Sequence, residues 1–395
     1  MTADTAELSI VVMFTHDAEQ AKRCLQGVAV VASEVRNSET ILMLNNSSDA
    51  VRSVVAERAP KARVIDSPVN TGTAVGWQLA FNATRAKYVL LMHEDAVAQA
   101  GMAPQLIETL KAEPSAAAVS PWIDEMRGGP NVNVGSVRIG RIGTMLRPDQ
   151  LPDGLANSSY AVNEISSAIS LWRRSAWEEL GGFDERSFPA MGVEPDALTG
   201  LWARGHTVLV DPTTRGVHQS GAMDSATGLL SGPHVRHYLT ARFLKVWDEK
   251  WSGRADWFVG RDNPEWDAEP IAKAAIDAAI ARAQELRASP PTLVDPPTSA
   301  HHLTNPSGAE PAPTEVDPAM ADRLRAAERE IIDGYTRWLI DRDIEMTGRY
   351  EDVHAAYVTL GDRVEALEDR SKTLDAILAG RWWRLRQKLA RLTGR

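Results

Sequence analysis

The sequence predicts an α/β fold, a mostly parallel sheet flanked by helices, with a separate α-helical extension towards the C-terminal end. Three observations predict it. Short, continuously apolar runs alternate with helical patterns through the first half of the chain, the mark of strands covered on both faces. One such run, Tyr88-Val-Leu-Leu-Met92, stops abruptly at three polar side chains, His93, Glu94 and Asp95. Finally, a stretch rich in Pro, Ser and Thr, Ser289 to Pro318, separates this body from a last segment with a seven-residue apolar repeat.

Taken in order, Leu8–Phe14 reads as a buried first strand, followed by the loop Thr15-His16-Asp17 and a helix to about Val31. Thr40–Leu44 is a second strand; the loop Asn45-Asn46-Ser47-Ser48-Asp49 holds turn-forming and helix-capping residues and leads into a helix over Ala50–Arg58. Ala62–Asp66 is a third strand, Asn70-Thr71-Gly72 a turn, Thr73–Arg85 a helix, and the run ending at Asp95 a fourth strand. Gly101–Glu113 follows as a helix and Ala116–Ser120 as a strand. From Pro121 to Asn157, Gly128, Gly129, Pro130, Gly135, Gly140, Gly143 and Pro148 interrupt every periodicity, which suits either a mobile acceptor loop or an irregular connection. Asn163–Trp172 regains strand character, Arg174–Leu180 is a short helix, and Gly181-Gly182-Phe183-Asp184-Glu185 a tight turn. Glu194–Arg204 is a helix stopped by Gly205, Thr207–Val210 the next strand, and His218 follows it.

Composition narrows the function. The 395 residues carry a formal net charge of -10, with a pI near 5.5, which argues against a general nucleic-acid binder because phosphate contact needs a clustered basic surface. Cys24 is the one cysteine, so no internal disulfide forms and a reducing compartment fits. Residues 1–7 lack the basic-then-apolar pattern of a secretory leader, and Leu8–Phe14 is far shorter than the roughly 20 residues needed to span a bilayer. The expectation is a soluble cytoplasmic protein.

Ligands of such sheets sit beyond the carboxyl ends of the strands, where His93, Glu94 and Asp95 would stand. Carboxylate oxygens there suit a hard cation, Mg²⁺ or Mn²⁺, able to hold a diphosphate through its remaining positions. The bland alternative is a helix N-cap at Asp95 with its neighbours solvated.

Several separate segments, in this order and spacing, resemble the inverting family 2 glycosyltransferases, which have the Rossmann-like GT-A fold. They are the opening strand and loop, Asn45-Asn46-Ser47-Ser48-Asp49, Asn70-x-Gly72, His93-Glu94-Asp95 with Gly101 beyond, Gly181–Glu185, Glu194-Pro195-Asp196, Gly205 and His218, spanning about residues 8–250. The resemblance implies transfer of a hexosyl or N-acetylhexosaminyl group from a nucleotide-diphosphate donor, UDP-linked in the leading reading, to an acceptor hydroxyl or amine. It implies a divalent cation held by Asp95 with help from His218, and a carboxylate base that takes the acceptor's proton. Glu194 aligns with the base and Asp196 is the alternative. His93 stands at the first position of the family's Asp-x-Asp motif. Thr15, Asn45, Asn70, Gly72, His93, Glu94 and Arg242 are the residues the resemblance assigns to the nucleotide sugar; Asn45 replaces a frequent aspartate there, and its amide can still read a uracil edge. The Gln-x-x-Arg-Trp motif of processive synthases is absent, which favours single transfers. The second reading is a non-catalytic sugar-nucleotide-binding or scaffold protein acting through its helical tail.

The expected domains are 1–258 for the transferase, 259–318 for a helix and Pro-rich linker, and 319–395 for a helical module. Trp247, Trp251, Trp257 and Trp266 crowd the first boundary as packing residues. Tyr350, Val353, Tyr357, Leu360, Val364, Leu367, Leu374 and Leu378 keep three- and four-residue steps, a coiled-coil seam that would make the enzyme a homo-oligomer. Residues 380–395 interleave six basic residues with Trp382, Trp383, Leu385, Leu389 and Leu392, a pattern suited to a peripheral membrane or an acidic carrier protein. The sugar and the acceptor, whether small molecule, carrier-bound or lipid-linked, are not encoded in any motif.

Overall fold

The computed structural model describes residues 6–125, 131–139, 142–189, 191–219, 233–251, 257–259, 273–290, 316, 318–327 and 329–338, with single positions at 341, 367, 372, 380, 384 and 388. The heptad seam and the basic tail lie outside the described residues, apart from isolated positions.

The chain runs β1 (Leu8–Phe14), α1 (Ala18–Glu34), β2 (Ser38–Asn45), α2 (Asp49–Arg58), β3 (Arg63–Ser67), α3 (Gly72–Ala83), β4 (Tyr88–His93), β5 (Ala96–Ala98), α4 (Met102–Ala112) and β6 (Ala116–Glu125). It continues through β7 (Asn131–Asn133), β8 (Ser136–Ile139), β9 (Ile142–Met145), β10 (Tyr160–Ala161), β11 (Ile169–Arg173), α5 (Arg174–Leu180), α6 (Val193–Ala203), β12 (Thr207–His218), α7 (Pro233–Trp251) and α8 (Lys273–Ala288). One large sheet has the order β10-β12-β6-β11-β4-β1-β2-β3, with β5 added to β12 and β7 to β6. Strands β3, β2, β1 and β4 pair in parallel, as do β6 and β12, while β11 runs antiparallel between β4 and β6. The fold is α/β with a mostly parallel, helix-covered sheet.

Burial explains why the apolar runs became strands. All seven residues of β1 are buried, and so are Tyr88–Met92 of β4, because helices lie on both faces. Helix α3 is buried at all twelve positions, so no polar stripe marks it in the sequence. Register aligns the strand ends: Met13 lies beside both Met43 and His93, and Asn45 beside Ser67. The loops after β1, β2, β3 and β4 therefore open on one rim.

Three elements depart from expectation. The strand expected at Thr207–Val210 continues to His218, because Asp211-Pro212-Thr213-Thr214 forms a bulge inside the strand rather than a turn that ends it. Asp211 accepts from Thr213 N at 2.9 Å and from Gln105 Nε2 at 3.2 Å, which satisfies the irregular backbone. The strand expected at Asn163–Trp172 begins only at Ile169; before it, Val162 N bonds the Val208 carbonyl and Asn163 N and Glu164 N the Ser136 carbonyl, so this stretch follows other strands instead of starting β11. The glycine-rich stretch 121–157 holds the rest of β6, the short strand β7 and the β8–β9 hairpin among its described residues, so it is neither a loop throughout nor irregular.

The first compact unit runs from Met1 to Ile332, past the expected boundaries, and the second from Asp333 to Arg395. Its extent has a packing cause: Ala275, Ile276, Ala279, Ile280, Ala283 and Leu286 of α8, then Val316, Met320 and Leu324, join the same apolar core. The Val316 N–H also bonds the Asp66 carbonyl at 3.2 Å, covering part of the edge strand β3.

Helix α1 approaches β5 so closely that a Cβ at Gly27 would lie 2.8 Å from the Ala98 backbone nitrogen. Alanine favours a helix over glycine by about 1 kcal/mol. Gly27→Ala is nevertheless expected to lower stability, by roughly 1–3 kcal/mol from overpacking, read by urea denaturation.

Candidate active site

The rim is built by strand ends. Where β4 ends, the chain turns through Glu94 and Asp95 and at once pairs β5 against β12, setting Ala96 opposite His218. That pairing, with Gln219 N donating to the Asp95 carbonyl at 2.9 Å, delivers two distant side chains to one point. His218 Nε2 lies 3.3 Å from Asp95 Oδ1, and His93 Nδ1 lies 3.9 Å from the same oxygen. His93, Asp95 and His218 each offer a ligand atom within 4.8 Å of the others.

The donor chemistry fits a divalent cation. Asp95 Oδ1 and His93 Nε2 are buried polar atoms without a hydrogen bond of good geometry among the described residues. Burial pushes the His93 imidazole down to about 4, against the pull of Asp95, so the ring is neutral, the form that ligates metals. Burial raises Asp95, but His218 and His93 outweigh it and leave the carboxyl below its ordinary value, so it is ionised. Trp77 packs on His93 at 5.2 Å between ring centroids and limits its rotation.

Glu94 turns away from this group. Its carboxylate accepts from Thr15 N at 2.8 Å and from the Thr15 hydroxyl, tying the β1–α1 loop to the end of β4. Burial lifts it to about 7 despite those bonds. Asn45 is likewise engaged within the protein: Oδ1 accepts from Thr71 N at 2.7 Å and Thr71 Oγ1 at 2.9 Å, and Nδ2 donates to Asn70 Oδ1 at 3.2 Å. Asn70 Oδ1 also accepts from Gly72 N at 2.9 Å, holding Gly72 at φ 74°. Asn45, Asn70 and Gly72 thus form one network that shapes the rim, as Thr15 and Glu94 form another.

The two acids of Glu194-Pro195-Asp196 lie in the first turn of α6, where the helix begins after Gly192. They meet different surroundings. Asp196 is buried, with Oδ2 2.9 Å from Lys250 Nζ and Oδ1 accepting from Trp251 Nε1 at 2.9 Å. Burial still holds it up, at about 6. Glu194 is partly buried; burial raises it to about 7, with a hydrogen bond from Ser167 opposing and the charge of Glu164 assisting. The next residue after Ser167, Ala168, accepts through its carbonyl from His93 N at 3.0 Å. One short segment therefore touches Glu194 on one side and the His93 backbone on the other. Arg242 donates to the Ser187 carbonyl, in the loop before α6, rather than to the His93–Asp95–His218 group.

Sequence reasoning missed Ser167 and Lys250. No local signal marks Ser167. Lys250 had one: it sits among Phe243, Trp247 and Trp251 at helical spacing, and a lone lysine on an aromatic face calls for a buried anion.

The mostly parallel sheet, with a carboxylate and two imidazoles gathered at its rim, is of GT-A type, and residues 9–162 match the family model described as glycosyl transferase family 2. That match covers less than half of the chain and, with the fold, supports a likeness to the family 2 glycosyltransferases over this part. Among its relatives, the O-antigen biosynthesis protein RfbC of Myxococcus xanthus is 25% identical over 255 residues, covering 62% of this chain and 19% of that protein. Among solved structures, GalNAc-T7 with UDP, GalNAc and Mn²⁺ is similar in fold, with a TM-score of 0.50 and 14% identity, over 71% of this chain and 55% of that one. This chain thus spans about a fifth of the first and just over half of the second.

The internal bonds of Asn45 make a stability prediction. Asn45→Ala leaves the buried Thr71 N–H without its acceptor, while the Thr71 hydroxyl keeps the Gly72 carbonyl at 3.1 Å, so unfolding by urea should show a loss of about 2 kcal/mol. An unchanged midpoint would count against this network.

Proposed function

We propose that the protein is an inverting, metal-dependent glycosyltransferase that moves a hexosyl or N-acetylhexosaminyl group from a UDP-sugar to an acceptor hydroxyl or amine in one displacement. What supports this reading is the 167–168 segment: Ser167 hydrogen-bonds Glu194, and the next residue, Ala168, accepts from the backbone N–H of His93 beside Asp95 and His218. Base and leaving-group site must face each other across the reacting carbon for the anomeric centre to invert. The UDP and Mn²⁺ bound by the GalNAc-T7 fold relative support the choice of nucleotide and cation.

Glu194 acts as general base. Lifted to about 7, it is basic enough to take a proton near neutral pH, and it stands in the first turn of α6 within hydrogen-bond reach of Ser167. As it removes the acceptor's proton, the acceptor oxygen or nitrogen bonds to the anomeric carbon and the bond to the diphosphate breaks, releasing UDP. Asp95, His93 and His218 would hold a divalent cation, which supplies Lewis-acid neutralisation of the leaving diphosphate. Asp196 has both oxygens engaged and serves the scaffold. Thr15, Asn70 and Gly72 shape the wall that would meet the nucleotide, and Asn45 and Glu94 support them.

The probe is hydrolysis of a panel of UDP-sugars with Mn²⁺, water standing in for the acceptor. Glu194→Gln should bind UDP-sugar normally and lose about 10²- to 10⁴-fold in turnover; near-normal turnover would remove Glu194 from the role. At saturating Mn²⁺ the wild-type kcat/KM should fall as pH drops through about 7, because the raised carboxyl becomes protonated and inactive. Mn²⁺ should raise the Tm of the wild type, and Asp95→Asn should lose that shift; an equal shift in the variant would place the cation elsewhere.

A further inference from the structure

The segment between α5 and α6, which leads into the helical turn carrying Glu194, has little secondary structure among its described residues, yet the base at its end must be held to within a fraction of an ångström. Helix α7, outside the residues matched by the family model, clamps it at successive points. Arg242 bonds the Ser187 carbonyl, and Phe243 packs edge-on to Phe188 at 6.0 Å. Phe243 also lies over Gly192, where a Cβ would collide with its ring, and Gly192 holds φ 85° as the residue from which α6 starts. The last clamp is ionic: Lys250 Nζ sits 3.0 Å from Asp184 Oδ2 and 2.9 Å from Asp196 Oδ2. Its ammonium lies 5.6 Å from the centres of both the Phe188 and Trp251 rings.

Asp184 opens this loop and Asp196 closes it, two residues past Glu194. Asp184 Oδ1 accepts from Ser187 N at 3.0 Å, and Asp196 N donates to the Gly192 carbonyl at 3.0 Å. One cation therefore pins both ends of the thirteen-residue span, Asp184 to Asp196, that presents the base. A lysine is only 13% exposed here and each carboxylate less than 10%, so the charges are shielded from water and the geometry is stiff.

We propose that Lys250 is a positioning residue for Glu194: by bridging Asp184 and Asp196 it fixes the first turn of α6 and with it the direction in which the base carboxylate faces the rim. The proposal rests on Glu194 being the base. It gives Asp196 a role as the anchor through which Lys250 acts, and it makes α7 part of the catalytic apparatus though no residue of α7 need touch the sugar.

The test uses the full chain, Mn²⁺ and hydrolysis of UDP-N-acetylglucosamine, or whichever UDP-sugar the panel turns over. Lys250→Met should lower kcat by about 10²-fold with KM for the donor within a factor of about three, the pattern of a misaligned base rather than a lost binding contact. It should also lower Tm, on the order of 10 °C, because two buried carboxylates lose their cation. Lys250→Met/Asp184→Asn/Asp196→Asn removes those stranded charges; Tm should recover while kcat stays low. Lys250→Arg, which can bridge both acids, should regain most of the turnover. Against a Glu194→Gln background, Lys250→Met should cost nothing further, since the residue it orients is already disabled. Wild-type kcat in the triple variant, or full additivity with Glu194→Gln, would overturn the positioning role and leave the base assignment standing. An active Glu194→Gln protein would instead overturn the base assignment itself.

Discussion

The rim depends on one reversal in the sheet. Strand β11 enters antiparallel between β4 and β6, so its beginning lies at the end of β4, with Ile169 paired to Met92. An all-parallel arrangement would put the start of β11 at the opposite edge, some 20 Å away for a strand of about six residues. Because the strand is reversed, the 166–168 segment passes directly over His93 and meets Glu194 at the start of α6. The second contributor is the bulge in β12, which lets the strand continue for eight residues after Val210 and set His218 beside Asp95. A strand that ended at Asp211 would leave the imidazole unattached to the rim.

Burial raises the affinity of both acids of α6 for a proton, and what separates their roles is hydrogen bonding. Asp196 faces a lysine and an indole N–H that occupy both oxygens, and it still sits at about 6, so desolvation exceeds the help it receives. Glu194 lacks a cationic partner among the causes of its shift and rests at about 7. A base must exchange a proton with its substrate, which an acid locked in two strong bonds does poorly. The same desolvation acts on Glu94, also at about 7, yet Thr15 takes its two oxygens. Three carboxyls of this region thus share one electrostatic cause, and of them Glu194, bonded by Ser167 but by no cation among the described residues, is the one the proposed mechanism uses.

Much of this was legible in the sequence. The first four strands declare themselves because burial on both faces forces continuous apolar runs, and Asp95 stands out as a polar residue at a strand end, whereas His218 is indicated only by the family resemblance. The spacing of Glu194 and Asp196 marks the acid pair without saying which is the base, since the decision lies with Lys250 and Trp251, some 54 and 55 residues away. Asp211-Pro212-Thr213-Thr214 reads as a turn because its residues are turn-formers; that their side chains satisfy a bulge against α4 is a tertiary fact. Asn45 reads as a nucleotide contact by alignment, but Thr71 and Asn70 come to it through the turn of the chain between β3 and α3, which no periodicity encodes.

The substitution of His93 for an acid alters the electrostatics of the proposed reaction. Two carboxylates around a divalent cation cancel its charge. A cation held by one carboxylate and two imidazoles, which ligate metals in the neutral form, would carry a net charge near +1 and attract a departing diphosphate more strongly. The exchange is sustainable only if His93 stays neutral, and its buried place against Trp77 holds it so. Imidazole also widens the range of cations the group can hold beyond those that prefer oxygen alone. A departure from the family's acidic pattern at this position is thus compatible with the proposed glycosyl transfer on physical grounds: a cation held with His93 in place of a negative ligand would offer a more electropositive seat to the leaving group.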